Sequence, residues 1–392
     1  MPSCDTLRQE IERLQRQYSL RELVVSDPSH GTTQIERGGK SLSLFCANDY
    51  LGLSRHPAVL DAVLLALQKF GIGAGASRLL SGNSSLYTRL ESDLARLKAT
   101  ESALVFSTGY MANLGALGAL IAPDDLILAD RLSHASLIEG ARHAKGRFRL
   151  YPHQEMDQLK KELEKRKPTQ KAFILTEGIF SMEGEIAPLP ALLTLAEQYD
   201  ATIYLDDAHA TGVLGPKGEG TCAHFGLRSP RILQMGTLSK AIGGLGGFLA
   251  ADDTTVQYLV NKARTLIYTT ALPPALLAAA IAALAVIRSD DGPRQRLWHN
   301  TTYFLTQVRQ LGFDVGATQT PIVPIFVGDS ETTLRFSRKL LEAGFYVPAI
   351  RPPTVPPGTS RLRISLMADH TQSEMDRLLS TLQAVGRTLR LI

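Results

Sequence analysis

Cysteine is scarce in this sequence. Its 392 residues include only Cys4, Cys46 and Cys222, which lie far apart and form no C-x-x-C pair. Disulfide-stapled secreted domains rely on several cysteines at characteristic spacings. We therefore expect three reduced thiols in a cytoplasmic protein, and we predict no metal site.

A strong excess of charge of one sign is also missing. The 42 Lys and Arg residues nearly balance 38 Asp and Glu residues, which leaves a formal net charge of +4. Nucleic-acid-binding proteins usually concentrate basic residues on one face, so no nucleic-acid partner is predicted. The mild positive balance is compatible with small anionic ligands.

Long hydrophobic runs are missing as well. The longest uncharged stretch, Thr265–Ile287, is interrupted by Pro273 and Pro274. The alanine-rich part after the prolines is too short to span a bilayer, so we predict a buried helix and no membrane association. The N-terminus shows no signal-peptide core; its apolar residues recur at helical spacing instead and predict an amphipathic helix from about Asp5.

Short apolar runs alternate with helical patterns from about residue 100 onward, which favours an α/β fold with a mostly parallel central sheet flanked by helices. The predicted strands are Ala103–Ser107, Leu126–Asp130, Lys171–Glu177, Thr202–Asp207 and Gly247–Ala251. The predicted helices between them include Asn113–Ile121, Met156–Arg166 and Leu189–Tyr199. Ligands of such folds bind beyond the carboxyl ends of the strands.

The pattern changes after Ala275 to a long helix and then to an α+β stretch with a strand near Thr320–Val327. The segment Arg351–Gly358, RPPTVPPG, is too rich in proline for a helix or a central strand and predicts an ordered loop. We predict an N-terminal helix and arm in residues 1–50, a large domain in 51–287 and a small α+β domain in 288–392.

The most informative segments are LDDAHATG, which contains Asp206 and His209, and GTLSKAIGGLGG, which contains Lys240. Asp206 lies at the end of a predicted strand, and Lys240 follows it by 34 residues in a glycine-rich turn. Adjacent acids at a buried strand end are costly unless a cation meets them, and alone they could bind a metal or cap a helix. Pyridoxal-phosphate (PLP) chemistry requires this combination: a lysine amine, a carboxylate for the ring nitrogen, and hydroxyl or N–H groups for the phosphate.

Two glycine-rich motifs do not indicate a nucleotide site. GIGAGA, at Gly71–Ala76, has the spacing of a dinucleotide fingerprint but follows the helical run Val59–Phe70 rather than a strand. The glycines near Lys240 come after the lysine, whereas a P-loop has them before it.

Several segments resemble the α-oxoamine synthases. They are NDYLGLSRHP (Asn48–Pro57), DRLSHASLIEG (Asp130–Gly140), TEGIFSMEGEIAPL (Thr176–Leu189) and LDDAHATGVLG, and the match runs from about Asn48 to the C-terminus. The resemblance implies the aspartate-aminotransferase-like PLP fold, fold type I, with a smaller C-terminal domain. The stretches IRPPTVPPGTSRLRIS (Ile350–Ser365), YTTALPP and VIRSDDG most resemble the branch that condenses L-alanine with a pimeloyl thioester, of CoA or acyl carrier protein, in biotin synthesis.

The resemblance assigns roles around the cofactor ring. Lys240 would be the Schiff-base lysine and would also move the substrate's α-proton. Asp206 would partner the pyridine nitrogen, and His209, helped by Ser181, would hydrogen-bond the phenolic oxygen. His134, just past a predicted strand, would stack on the ring and could donate a hydrogen bond to a developing oxyanion.

The resemblance also implies a phosphate site and a substrate site. The backbone at Gly109 and Tyr110, with the hydroxyls of Thr237 and Ser239, would meet the phosphate, and Thr270 would reach it from a second subunit. Arg363 would bind the amino-acid carboxylate, with Arg21 and Thr354 further out. The residues implicated in substrate binding are Arg21, Asn48, Arg351, Thr354 and Arg363.

Homodimerisation with shared active sites is implied by the family. Within the family, the alternatives are 2-amino-3-ketobutyrate CoA ligase and 5-aminolevulinate synthase, which use glycine, and serine palmitoyltransferase. From a different class, a non-catalytic PLP-binding protein remains an alternative. The amino acid and acyl donor that react would separate these interpretations.

Overall fold

The computed structural model describes residues 4–29 and 31–392. The helices are α1 (Cys4–Arg16), α2 (Pro57–Phe70), α3 (Ser85–Lys98), α4 (Gly109–Leu120), α5 (Ala135–His143), α6 (Met156–Glu164), α7 (Leu189–Gln198), α8 (Thr221–His224), α9 (Asp253–Lys262), α10 (Arg264–Ile267), α11 (Pro274–Ser289), α12 (Gly292–Gln310), α13 (Ser330–Glu342) and α14 (Gln372–Thr388). The strands are β1 (Asp27–Pro28), β2 (Gln34–Arg37), β3 (Lys40–Leu44), β4 (Ser102–Phe106), β5 (Leu126–Asp130), β6 (Arg147–Tyr151), β7 (Ala172–Glu177), β8 (Ala201–Asp206), β9 (Ile232–Thr237), β10 (Gly247–Ala251), β11 (Ile322–Gly328), β12 (Phe345–Tyr346), β13 (Ala349–Ile350) and β14 (Ser360–Ser365).

The central sheet has the strand order β4-β10-β9-β8-β7-β5-β6. Strands β9, β8, β7, β5 and β6 pair in parallel, and β10 is antiparallel to both of its neighbours. Consecutive residues of β7 pack into different cores: Phe173 and Leu175 into one, Ala172 and Ile174 into the other. Because both faces of the sheet are covered at strands such as β7, these strands read as nearly continuous apolar runs. The predicted mostly parallel sheet is confirmed.

The described chain forms two compact units. One contains Asn48–Ser181 and Glu185–Gln295 and carries the central sheet. The other contains the described residues up to Ala47, then Met182–Gly184 and Arg296–Ile392. Its sheets are β1-β2-β3-β12 and β11-β14-β13, and Phe304, Phe336 and Phe345 belong to its core. The domain boundaries suggested by the sequence stay a prediction.

The carboxyl ends of the central strands place polar side chains along one edge. Asp130, Glu177, Asp206 and Thr237 are the last residues of β5, β7, β8 and β9. The register pairs Glu177 with Asp206. Parallel strands end on the same side of a sheet, so these residues define the edge where ligands bind in such folds.

The alanine-rich stretch predicted as a buried helix is α11, and most of its side chains are buried. Among the described residues, no helix combines the length and the apolar character needed to cross a membrane.

Candidate active site

A cavity of about 230 Å³ lies beyond the ends of β8 and β9. It is lined by Thr108, Gly109, Tyr110, Asn113, His134, Ser136, Glu177, Asp206, Ala208, His209, Met235, Thr237, Ser239 and Lys240. Most of the residues predicted to hold a cofactor therefore surround one space.

Asp206 is buried at the end of β8, where the apolar strand leads directly into the cavity. Its Oδ2 accepts a hydrogen bond from Nδ2 of Asn113 at 2.8 Å, and its Oδ1 accepts one from the backbone N–H of Ala208 at 3.1 Å. Hydrogen bonds donated to a carboxylate favour its charged form. The arrangement suits a carboxylate that meets a protonated ring nitrogen.

The loop after β9 positions Lys240 at the cavity. Oγ1 of Thr237 donates to the carbonyl of Gly246 at 2.8 Å and also lies 2.8 Å from Oγ of Ser239. The N–H of Gly243 donates to the carbonyl of Lys240 at 2.8 Å and closes the turn. The lysine and two hydroxyls thus come from one short, hydrogen-bonded segment.

The N-terminus of α4 forms another wall of the cavity. Thr108 caps this helix by accepting the N–H of Met111 on Oγ1 at 3.1 Å. A Cβ at Gly109 would lie 3.4 Å from Oγ1 of Thr237, which shows how closely the first turn approaches that hydroxyl. Unpaired N–H groups at a helix start, together with hydroxyls, form a favourable anion site.

His134 caps α5 and lines the same cavity. Its Nδ1 accepts the backbone N–H of Ser136 at 3.2 Å, and the backbone N–H of His134 donates to Oε1 of Glu177 at 2.5 Å. Burial lowers the pKa of His134; Asp206 raises that pKa and Lys240 lowers it, leaving it below the usual value. Burial thus favours the neutral imidazole.

His209 has a partner that the sequence motifs did not reveal. Its Nδ1 lies 2.7 Å from the hydroxyl of Tyr50, and both side chains are buried. A phenol that holds Nδ1 fixes the orientation of the ring.

Ser181 and Thr270 do not line this cavity. Ser181 is buried in a loop in which Ile179 bridges to Ile186. Thr270 is exposed, and its carbonyl accepts a hydrogen bond from Oγ of Ser107 at 3.2 Å. Their proposed contacts with a cofactor stay predictions.

The predicted distal substrate residues form a separate group in the unit that contains the C-terminus. Nη2 of Arg21 donates to Oγ1 of Thr354 at 2.8 Å. Arg351 donates to the backbone carbonyls of Tyr18 and Leu20. Burial and the neighbouring charge of Arg21 lower the pKa of Arg351. Since neither arginine has an ion-pair partner in the described part of the chain, the pair suits an anion.

Arg361 and Arg363 both lie on β14, and both are buried. Nη1 of Arg361 donates to Oε1 of Glu183 at 2.8 Å, and its guanidinium stands 4.4 Å from the ring centroid of Phe326. Nη1 of Arg363 donates to the neutral Oγ of Ser365 at 3.0 Å. Arg361 is thus neutralised by an acid within its own unit. Asn48 belongs to the other unit.

Sequence reasoning missed Asn113, Ser136 and Glu177 as cavity residues. Asn113 lies one helical turn after Gly109 and is a polar residue in an otherwise apolar helix. That contrast was the available signal. Glu177 ends a predicted strand, as Asp206 does, so its position also marked it.

The chain matches the family model for class I and II aminotransferases over residues 40–382. The chain belongs to this family. An 8-amino-7-oxononanoate synthase from Geobacter sulfurreducens is 44% identical over 385 residues, which cover 98% of each chain. An 8-amino-7-oxononanoate synthase 2 from Bacillus subtilis is 44% identical over 354 residues, which cover 90% of each chain.

Solved structures of family members have the same fold. A lysine-to-alanine variant of a serine palmitoyltransferase from S. paucimobilis, with a bound PLP–myriocin aldimine, superposes with a TM-score of 0.94 at 31% identity, covering 99% of this chain and 98% of that one. An 8-amino-7-oxononanoate synthase from Francisella tularensis superposes with a TM-score of 0.78 at 29% identity, covering 89% and 98%. The predicted fold class and the predicted relationship to the α-oxoamine synthases are confirmed.

Proposed function

We propose that this protein is a PLP-dependent acyltransferase that condenses L-alanine with a pimeloyl thioester, of CoA or acyl carrier protein, to form 8-amino-7-oxononanoate, CO2 and the free thiol. The observation that supports it most directly is the single cavity shared by Lys240, Asp206 and the N-terminus of α4. The names of relatives that are 41–45% identical favour the biotin-pathway reaction.

The groups around the cavity fit PLP. Asp206 would hold the ring nitrogen protonated, and His209 would hydrogen-bond the phenolic oxygen. The phosphate would meet the N-terminus of α4 and the hydroxyls of Thr237 and Ser239. Lys240 would hold the cofactor covalently through its amine.

When bound, PLP supplies an electron sink for chemistry at the α-carbon of the amino acid. Lys240, once its amine is released, would take the α-proton and later return a proton to the same carbon. His134 would cover the ring and donate a hydrogen bond to oxygen as negative charge develops there. Arg363 would bind the amino-acid carboxylate until that group leaves as CO2.

The pair of arginines in the C-terminal unit supports a dicarboxylic acyl chain. Arg21, Thr354 and Arg351 form a cationic group that would bind the distal carboxylate of the pimeloyl chain. A serine palmitoyltransferase is the alternative favoured by the closely superposing solved structures. Its acyl chain ends in a methyl group, which gains nothing from two guanidinium groups, so the dicarboxylic substrate is preferred.

Exposed apolar side chains support a homodimer. They cluster within residues 60–80 and include Leu60, Leu64, Leu65, Leu67, Phe70, Ile72, Leu79 and Leu80. An apolar patch of this kind on a folded chain marks an interaction site, and a second copy of the chain would cover it. The same contact would bring the exposed Thr270 to the partner's phosphate.

The three free cysteines support a reducing, cytoplasmic location.

The deciding experiment is a substrate matrix with the PLP-loaded protein. L-Alanine, glycine and L-serine are each combined with pimeloyl-CoA, pimeloyl-acyl carrier protein or palmitoyl-CoA, and the products are identified by mass. We expect 8-amino-7-oxononanoate from L-alanine and a pimeloyl donor. Turnover only with glycine, or only with L-serine and palmitoyl-CoA, would assign another member of the family.

A variant and an uncharged analogue test the distal carboxylate separately. Arg21→Ala should lower kcat/KM for pimeloyl-CoA about 10- to 100-fold, the range expected for a lost hydrogen bond to a charged group. Heptanoyl-CoA has the same chain length without the carboxylate, so its kcat/KM should change little in Arg21→Ala. Equal losses with both donors would rule out recognition of the carboxylate by Arg21.

A further inference from the structure

Four polar side chains form a continuous hydrogen-bonded chain along the cavity. Nδ2 of Asn113 lies 2.8 Å from Oδ2 of Asp206 and 2.8 Å from Oγ of Ser136. Oγ of Ser136 in turn lies 2.8 Å from Nδ1 of His134. All four residues line the cavity. The hydrogen bonds join Asp206, predicted to partner the ring nitrogen, to His134, predicted to stack on the ring face.

The direction of each hydrogen bond follows from the carboxylate at one end. Asp206, as an anion, can only accept, so Asn113 must present its NH2 group to it. The second hydrogen of that NH2 group then goes to Oγ of Ser136, which accepts it. The hydroxyl hydrogen of Ser136 is thereby left to be donated, and the acceptor at 2.8 Å is Nδ1 of His134.

The opposite orientation of the Asn113 amide is unfavourable. It would bring the amide oxygen against the carboxylate of Asp206, where two acceptors would face each other. In the observed orientation both amide hydrogens are used, whereas the buried Oδ1 has no hydrogen-bond partner within the described residues. An unpaired buried carbonyl costs free energy. The two hydrogen bonds that the amide donates, to Asp206 and Ser136, therefore hold the Asn113 side chain in place.

We propose that Asn113 and Ser136 are positioning residues that hold Asp206 as an anion and His134 as the neutral tautomer protonated at Nε2. The backbone N–H of Ser136 also donates to Nδ1 of His134, at 3.2 Å, so two donors converge on that nitrogen. A nitrogen that accepts hydrogen bonds carries no proton, and the single N–H of the neutral ring is then at Nε2.

The chain of hydrogen bonds gives each end residue the state that its role needs. The anionic Asp206 can hold a ring nitrogen protonated, and the Nε2–H of His134 is a hydrogen-bond donor for an oxygen in the cavity. This part of the inference rests on the proposed function. The tautomer of His134 does not rest on the proposed function, because the hydroxyl and the backbone N–H of Ser136 fix it.

The tautomer can be measured in the cofactor-free protein. Two-bond 1H–15N spectra of protein labelled with 15N-histidine distinguish protonated from unprotonated ring nitrogens, and a His134→Gln variant identifies the signals of His134 among the nine histidines. We expect a protonated Nε2 and an unprotonated Nδ1. A wild-type protein with the proton on Nδ1 would overturn the proposal.

Two serine deletions make a matched pair. Ser136→Ala removes the hydroxyl, which is one of the two donors to Nδ1, and keeps the backbone N–H. The ratio of the two tautomers should therefore move about tenfold toward the Nδ1–H form, as expected for one lost hydrogen bond. Ser133→Ala is the control, because Ser133 adjoins His134 and its buried Oγ has no partner among the described residues. It should leave the ratio unchanged. Equal spectra for Ser136→Ala and wild type would contradict the proposal.

The hydrogen bond between Asn113 and Asp206 is tested separately, by the affinity of the protein for PLP. Asn113→Leu removes the side-chain donor to Asp206 and leaves the backbone N–H of Ala208. The Kd for PLP, measured by fluorescence titration of the cofactor-free protein, should rise about tenfold. An unchanged Kd would overturn this half of the proposal. If wild-type protein shows the expected tautomer but does not bind PLP, the proposed function fails while the assignment of the tautomer stands. Circular dichroism of each variant checks that it has folded.

Discussion

Nζ of Lys98 lies 2.6 Å from Oδ2 of Asp207, and neither side chain is exposed to solvent. Lys98 also donates to the carbonyl of Glu219 at 2.7 Å, and the hydroxyl of Thr221 donates to Asp207 at 2.5 Å. Lys98 ends α3, whereas Asp207 directly follows Asp206. Lys98 is thus the cation that the two adjacent acids were expected to require. Its buried ion pair with Asp207 anchors the loop behind the candidate active site.

Lys98→Met should destabilise the protein strongly. It leaves the Asp207 carboxylate buried without its cation, which costs about 3–5 kcal/mol. The free energy of unfolding in urea, measured on the cofactor-free protein, checks this. Lys98→Met combined with Asp207→Asn should be more stable than Lys98→Met alone, because no buried charge remains.

The matched control is a surface pair. Nζ of Lys160 lies 4.0 Å from Oε1 of Glu164, and both side chains are about half exposed. Lys160→Met should change the free energy of unfolding by less than about 1 kcal/mol. Similar losses from Lys98→Met and Lys160→Met would show that burial of the Lys98–Asp207 pair is not what matters.

His153 links two loops of the sheet edge and should make stability depend on pH. Its Nδ1 lies 2.9 Å from Oδ1 of Asp130, and its Nε2 lies 3.4 Å from Oε2 of Glu185. Burial lowers the pKa of His153, but hydrogen bonds to Asp130 and Glu185 outweigh it and raise the pKa to about 9. Because the folded-state pKa is above the ordinary 6.5, the stabilisation is complete below pH 6.5 and is lost as pH rises through about 9.

The measurement is the free energy of unfolding from below pH 6.5 to above pH 9, for wild type and His153→Gln. Within this window, wild type should lose up to about 1.4 kcal/mol per pH unit relative to the variant. Glutamine keeps hydrogen-bonding capacity but cannot titrate, so it isolates the charge. Parallel curves for the two proteins would show that His153 does not carry this dependence.

Arg361 and Arg363 should respond differently to the same substitution. Arg361→Met breaks the buried ion pair between Arg361 and Glu183, so its main effect should be on stability, about 3–5 kcal/mol. Arg363→Met should raise KM for L-alanine about 10- to 100-fold, because a charged hydrogen bond to the substrate carboxylate is lost. Urea unfolding and steady-state kinetics of both variants make the comparison. If Arg363→Met left KM unchanged, Arg363 would not be the carboxylate-binding residue.

Gly247 should be required for the anion site at the start of α4. A Cβ at this position would lie 2.5 Å from Cα and 2.6 Å from the backbone N of Gly109, so Gly247→Ala must displace the first turn of the helix. Overpacking of this kind costs about 1–3 kcal/mol, and the Kd for PLP should rise at least about tenfold. Gly244→Ala is the control, because its Cβ would meet only the carbonyl oxygen of Leu238, at 3.5 Å. Equal affinities in the two variants would contradict this reading of Gly247.

The sequence by itself determined the class of fold and the edge of the sheet that carries the site. Strands β5 and β10 begin and end where their apolar runs predict. Lys240, Asp206 and His134 lie on one cavity. The positions of Asp206 and His134 at or just after predicted strands implied this for those two residues, and the family resemblance implied it for Lys240. Burial periodicity and the position of a residue at a strand end are local properties, so they can be read along the chain.

Strands β6 and β9 were missed because their sequences, RFRLY and ILQMGT, include polar residues in place of a continuous apolar run. The exposed β6 lies at the edge of the sheet, where its arginines reach solvent. The buried Gln234 of β9 is satisfied by donating to the carbonyl of Lys98 at 3.1 Å. In each case the surroundings of the polar side chains in the folded protein, solvent for β6 and the carbonyl of Lys98 for β9, allow them in a strand. The local sequence pattern does not show this.

Only the tertiary structure decided which polar groups support the site. Lys98 reads as an ordinary surface lysine, but it is separated from Asp207 by 109 residues in sequence and by 2.6 Å in space. Asn113 is 93 residues from Asp206, yet it donates to its carboxylate. Hydrogen bonds and ion pairs act over a few ångströms, so the partner of a buried polar side chain is set by how distant segments meet, and no local pattern in the sequence specifies it.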